Sequence, residues 1–197
     1  MGLFNFFKKN NKSKEVQIPE CESYAHNKTT VAEATSLVDF LQVANKKSAE
    51  ESIAVVKPLN NQEDLAIIAK HGAVDPSAVI EAVEKMSDQN LLGDVAKTIT
   101  MEAAIKVILE KLTDQNVLAD IAKNAFHYFT RMSAIRKLTD QDALLADIVK
   151  NDKNDSVRMA ATENLNNQDI LTDVAKNDNV EYVRGAAKQR LEKLQGK

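Results

Sequence analysis

The stretch Thr113-Asp114-Gln115-Asn116-Val117-Leu118-Ala119-Asp120-Ile121-Ala122-Lys123 decides the fold. It begins with residues that suit a helix start: a hydroxyl at Thr113, then an acid where the positive end of the helix dipole lies. Leu118, Ile121 and Ala122 follow at i, i+3 and i+4, one apolar stripe of a helix. Lys123 closes the phrase, where a cation offsets the exposed carbonyls of a last turn.

The same phrase returns along the chain. Ser87-Asp88-Gln89 leads to Asp94, Val95, Ala96 and Lys97, and Asn166-Asn167-Gln168 leads to Asp173, Val174, Ala175 and Lys176. With one inserted residue, Thr139-Asp140-Gln141 leads to Asp147, Ile148, Val149 and Lys150. A weaker copy runs from Asn60-Asn61-Gln62 to Ile68-Ala69-Lys70. The glutamines at 62, 89, 115, 141 and 168 set a period of 26–27 residues, the mark of a repeat architecture. A degenerate sixth copy is expected ahead of them around Phe40, Val43 and Ala44, with Leu37 in place of the glutamine, as in an atypical capping repeat. Ser87, Thr113 and Thr139 are the expected N-caps. Asp94 and Lys97, three residues apart, and their equivalents are expected to pair on the surface.

A second helix completes each unit. Asp155-Ser156-Val157-Arg158-Met159-Ala160-Ala161 leads to Leu165, Tyr182-Val183-Arg184-Gly185-Ala186-Ala187 to Leu191, and Thr130-Arg131-Met132-Ser133-Ala134 to Leu138. Asp75-Pro76 begins the equivalent helix earlier, with proline at the first helical position. Helices of about ten residues are marginal alone in water, so stacking must supply the stability.

The Val-Arg-x-x-Ala-Ala helix, with an aspartate six residues before the arginine, resembles HEAT-like repeats of the short bacterial kind. Asp152 with Arg158 and Asp178 with Arg184 match that spacing. The resemblance implies that these four residues form a ladder tying neighbouring repeats together. Arg131 matches half the pattern, because Ala125 stands at its aspartate position, and the repeats before residue 112 lack the arginine. The likeness covers about residues 60–195 and is most specific in the last three repeats, over 112–195. The implied fold is all-α, a right-handed α–α superhelix of HEAT/armadillo type with about six two-helix repeats. Residues 29–197 would form the solenoid, with repeats near 29–59, 60–86, 87–112, 113–138, 139–165 and 166–195, after a non-repeating tail and linker over 1–28.

Composition agrees with helix and narrows the function. Glycine and proline number five and three in 197 residues, too few for a turn-rich β protein. Net charge is −3. The first fifteen residues carry Lys8, Lys9, Lys12 and Lys14 against Glu15, so the rest bears twenty-two basic and twenty-eight acidic residues, a net −6. An acidic body repels phosphate backbones, and nucleic acid is not an expected partner. HEAT-like DNA glycosylases, similar in architecture, use a basic surface with aromatics that this chain does not offer. Cys21, alone, can form neither an internal disulfide nor a thiolate metal site. His26, His71 and His127 have no metal-ligand spacing, and the His-Glu pairs of the HEAT-like deoxyhypusine hydroxylases are missing. No phosphate loop, nucleophile elbow or Cys–His arrangement occurs, so neither catalytic residues nor a cofactor or metal are assigned. Asp94, Asp120, Asp147 and Asp173 recur in four of the five copies, which suits a structural role better than an acid pair.

Two features stand outside the repeat. Met1-Gly2-Leu3-Phe4-Asn5-Phe6-Phe7-Lys8-Lys9 is apolar, then basic, and Phe4, Phe6, Phe7, Lys8 and Lys9 are the residues that would touch a membrane surface. Phe6 replaces the Ser or Thr that a myristoylation signal needs. The other feature is Ala125-Phe126-His127-Tyr128-Phe129, which aligns with polar Asp152-Lys153-Asn154-Asp155-Ser156 of the next repeat. Aromatics at positions that are polar in a sibling repeat either fill a gap at the helix start or mark a partner surface. Phe126, His127, Tyr128 and Phe129, with Arg131 and Tyr182 at the same helix ends, are the candidate partner-binding residues. The expected role is a cytoplasmic, non-catalytic scaffold for a protein or peptide. The alternatives are an enzyme or enzyme accessory of the lyase-associated HEAT-like class, and a peripheral membrane adaptor acting through the tail.

Overall fold

The computed structural model describes residues 48–70 and 75–196. The degenerate first copy, Cys21, His26, His71 and the tail with its phenylalanines and lysines lie outside those residues.

Eleven helices and no strand make up the described residues: α1 (Ala49–Val56), α2 (Gln62–Lys70), α3 (Pro76–Lys85), α4 (Gln89–Thr98), α5 (Glu102–Lys111), α6 (Gln115–Asn124), α7 (Tyr128–Ile135), α8 (Asp142–Asn151), α9 (Asp155–Asn164), α10 (Gln168–Asn177) and α11 (Glu181–Leu194). They form two rows. The phrase helices α2, α4, α6, α8 and α10 each pack against the helix that follows, giving five helix pairs. The second row, α1, α3, α5, α7, α9 and α11, packs in sequence, each helix on the next. Such neighbour-to-neighbour contact is the geometry of a helical repeat solenoid.

One apolar core runs through it from Val56 to Ala187. Leu118, Ile121 and Ala122 are fully buried, as their spacing requires. Met86, Leu112, Leu138 and Leu165, the residues that end the second helix of each repeat, are buried too. Each such side chain contributes about 1.5–3 kcal/mol by leaving water. Ala160, Ala161 and Ala187 are buried at contacts of the second row, where small side chains let backbones approach. Gly93 does the same in the first row. A Cβ there would meet Val117 Cγ1 of α6 at 2.5 Å.

The helix starts correct the sequence reading by one residue at Ser87 and Thr113 and by two at Thr139. Asp88 and Asp114 are the N-caps, accepting from Leu91 N and from Asn116 N and Val117 N. Ser87, Thr113 and Thr139 stand just outside, and their amides serve the preceding repeat. Gln62 Oε1 accepts from Ser87 N (2.6 Å) and Asp88 N (3.1 Å) while its Nε2 donates to Lys85 O. Gln89 binds Thr113 N, Asp114 N and Lys111 O in the same way, and Gln115 binds Thr139 N and Lys137 O. The recurrent glutamine is thus a staple between repeats. In the fourth copy the inserted residue displaces it. Asp140 turns through φ +52°, and Asp142 Oδ1 takes the amide of Asn166 at 2.9 Å. On the same edge Lys85, Lys111, Lys137 and Arg190 reach back to carbonyls of the preceding unit, Arg190 Nε to Leu165 O at 2.9 Å.

The phrase lysines also bind across repeats. Lys97 Nζ lies 2.7 Å from Asp120 of α6 and 3.0 Å from its own Asp94, and Lys123 binds Asp147 of α8 at 3.0 Å. Asp120 and Asp147 are therefore held below the usual carboxylate range, each by its lysine first and then by Asn124 or Asn151 on the same helix. The three-residue spacing suggested pairing within one helix, but only Lys97 pairs in that way.

Candidate functional site

At the opposite edge, where a phrase helix ends and the second helix begins, Arg131 and Arg158 form two rungs. Arg131 Nε and Nη2 bind Asp152 Oδ2 and Oδ1 at 2.8 and 2.9 Å. Arg158 binds Asp178 at 2.9 and 3.1 Å, and its Nη2 also reaches Asn179 Oδ1. Burial would raise the Asp178 carboxyl, but the Arg158 guanidinium and the amide of Val180 more than offset this, leaving it below its ordinary value.

Each arginine therefore uses the aspartate of the next repeat. To its own repeat, six residues back, it offers a hydrogen bond to a backbone carbonyl: Arg131 Nη1 to Ala125 O, Arg158 Nη1 to Asp152 O, and Arg184 Nη1 to Asp178 O. A carbonyl is present whatever the side chain. This corrects the reading of Arg131 as half a motif, since Ala125 costs it nothing. What Ala125 lacks is a partner one repeat earlier, where Ile105 stands at the arginine position. Ala125 and Ile105 are both buried, an apolar substitute for the missing rung.

The aromatic segment sits directly on this edge. Phe126 is 80% exposed, Tyr128 45% and Tyr182 47%. Phe129 is half-buried and packs against the core, so it belongs to the interior more than to a surface. His127 is the N-cap of α7, gives no side-chain cap, and stacks on Tyr128 with ring centroids 5.5 Å apart. Its Nδ1 is buried without a partner among the described residues. The backbone beneath is pinned: Phe126 N donates to Lys97 O of α4 at 3.0 Å, and Arg131 Nη1 donates to the carbonyls of both Ala125 and Phe126.

An open depression of about 390 Å³ is lined by Phe126, His127, Tyr128, Arg131, Lys153 and Asn154. It continues through Arg131 and Lys153 into a second, of about 330 Å³, between the C-terminal ends of α6 and α8. Tyr182 is on α11, which packs against α9 and α10, and does not line either part. Interaction between its hydroxyl and the Asp155 carboxylate lowers that carboxyl and raises the tyrosine. The structure therefore separates Tyr182 from the cluster it was expected to join. It adds Lys153 and Asn154, whose only sequence signal was their alignment with Phe126 and His127.

No group of three or more His, Cys, Asp or Glu side chains placed to hold a metal occurs among the described residues. No helix among them is long and apolar enough to cross a membrane. Comparison with family models, curated proteins and solved structures returned no match for this chain.

Proposed function

We propose that the chain is a cytoplasmic, non-catalytic interaction scaffold of HEAT-like type, which presents the edge around α7 to a protein partner. One observation carries this reading: Phe126 is 80% exposed on a backbone held by three hydrogen bonds. A large apolar side chain left in water contributes nothing to folding there, and covering it would contribute about 1.5–3 kcal/mol to a complex. The pinned backbone lowers the ordering cost of binding. Tyr128 and the stacked His127 enlarge the patch beside it, and aromatics of this kind dominate interface energetics. The Arg131–Asp152 and Arg158–Asp178 rungs support the HEAT-like part of the reading, since they tie successive repeats as that family's ladder does.

The test is in-cell crosslinking followed by affinity purification of the wild-type chain and of the Phe126→Ala/Tyr128→Ala variant. Phe129 is left intact because it packs against the core. The scaffold reading expects at least one abundant crosslinked protein that the variant loses. An identical set from both chains, or none from either, would overturn it.

A further inference from the structure

The double depression has a chemistry narrower than "protein surface". Its two acids are already neutralised: Asp147 by Lys123 at 3.0 Å and Asp152 by Arg131 at 2.8 Å. Lys153, shared by both parts, is exposed and has no ion-pair partner among the described residues. Among the described residues the groove therefore holds one uncompensated charge, positive, in a chain that is net acidic. Asn124 and Asn151 stand along the second part. Their Nδ2 atoms are tied to Asp120 and Asp147 at 2.6 and 2.7 Å, which fixes each carboxamide and leaves its Oδ1 as an acceptor. At the other end Phe126 and the His127–Tyr128 stack form an apolar wall.

We infer that this groove takes an extended acidic peptide, with a carboxylate against Lys153, a bulky apolar side chain against Phe126 and Tyr128, and backbone amides on the Asn124 and Asn151 carboxamide oxygens. The inference rests on the scaffold reading and gives its partner a chemistry. Charge decides between occupants. The chain's own Phe4–Lys9 segment has aromatics for the wall but brings lysines towards Lys153, and like charges in proximity repel. A second copy docked through the same groove would bring the same lysine. An acidic segment removes the unpaired charge and covers the aromatics together.

A phage library of random twelve-residue peptides, panned on the immobilised full chain, tests this directly. Enriched peptides are then synthesised and measured by fluorescence anisotropy. The expected result is enrichment of sequences pairing Asp or Glu with Phe, Leu or Trp. Phe126→Ala and Lys153→Glu should each weaken binding at least tenfold, and added salt should weaken it further. Both side chains are exposed, so these variants keep the fold, which a thermal melt verifies. Basic or uncharged consensus sequences, no enrichment, or affinities unchanged in both variants overturn the proposal. Two other occupants would overturn it as well. The second copy is indicated if light scattering finds a dimer that Phe126→Ala dissolves. The tail is indicated if no acidic peptide binds the full chain while a synthetic peptide of residues 1–9 does and loses its affinity with Phe126→Ala. Acidic peptides that bind away from Phe126 sink the groove assignment but leave the scaffold reading standing, which only the crosslinking comparison can remove.

Discussion

Arg131 and Asp152 meet through two nearly parallel hydrogen bonds, 2.8 and 2.9 Å long, with both side chains only 14% and 10% exposed. The pair ties α7 to the loop before α9. Asp152 also receives the amide of Asn154, so its orientation is set from both sides. Asp152→Ala should cost about 2–4 kcal/mol, because the guanidinium is left largely buried with its main partner gone. Arg131→Met paired with Asp152→Leu should cost clearly less than the sum of the two single changes. Urea unfolding of the four proteins of the double-mutant cycle measures the coupling.

The glutamine staple gives a sharper contrast. Gln89→Ala and Gln115→Ala each remove hydrogen bonds to backbone groups of the next repeat and should cost about 1–2 kcal/mol. Gln141 has the same place in the periodic phrase, yet Asp142 makes the inter-repeat contact in its stead. Gln141→Ala should therefore change stability by less than about 0.5 kcal/mol, as at an ordinary surface position, whereas Asp142→Ala should cost about 1 kcal/mol. Equal losses at 89 and 141, read from urea midpoints, would contradict the register shift.

Gly93 is a third case. Alanine in mid-helix is worth about 1 kcal/mol more than glycine. The added Cβ would stand 2.5 Å from Val117 Cγ1, and a β-branched side chain has little freedom to turn away. Gly93→Ala should be destabilising by about 1–2 kcal/mol despite the propensity gain. Gly93→Ala/Val117→Ala should recover most of that loss, since the two changes relieve one clash. Thermal melts of the single and double variants check it.

Acid should act through the carboxylates that cations hold in the ionised form. Asp178, Asp120 and Asp147 have folded values below the ordinary 3.8. A group depressed in the folded state contributes stability above its unfolded value, and that contribution is lost as pH falls through the folded value. These carboxylates should therefore contribute a constant amount from pH 7 to about 5 and a falling one below about 4. Asp178→Asn should be less stable than the wild-type chain at pH 6, with the gap narrowing by pH 3. Urea midpoints across that range read the outcome, and a gap that widens in acid would contradict the assignment.

The eleven-residue phrase determined much of this protein by itself. Its period sets the repeat, its i, i+3, i+4 residues set the buried stripe, and short helices without stable isolated forms must stack. Asp75-Pro76 was legible as a helix start for the same reason: capping is chemistry between residues close in sequence. What only the tertiary structure decided is partner choice between repeats. Gln89, Lys123, Arg131 and Arg158 all bind residues some 20–25 positions away, and a linear reading assigned the lysine to a near neighbour and gave the glutamine no partner. The exposure of Phe126 and the half-burial of Phe129, three residues apart, were equally undecided, because the segment lies before and at the start of a helix, where no period fixes the facing side. Lys153 joined them only when stacking set two loops side by side. Local periodicity fixes which residues point inward along one helix. The adjacency of successive helices fixes which polar groups meet, and that adjacency exists only once the chain has stacked.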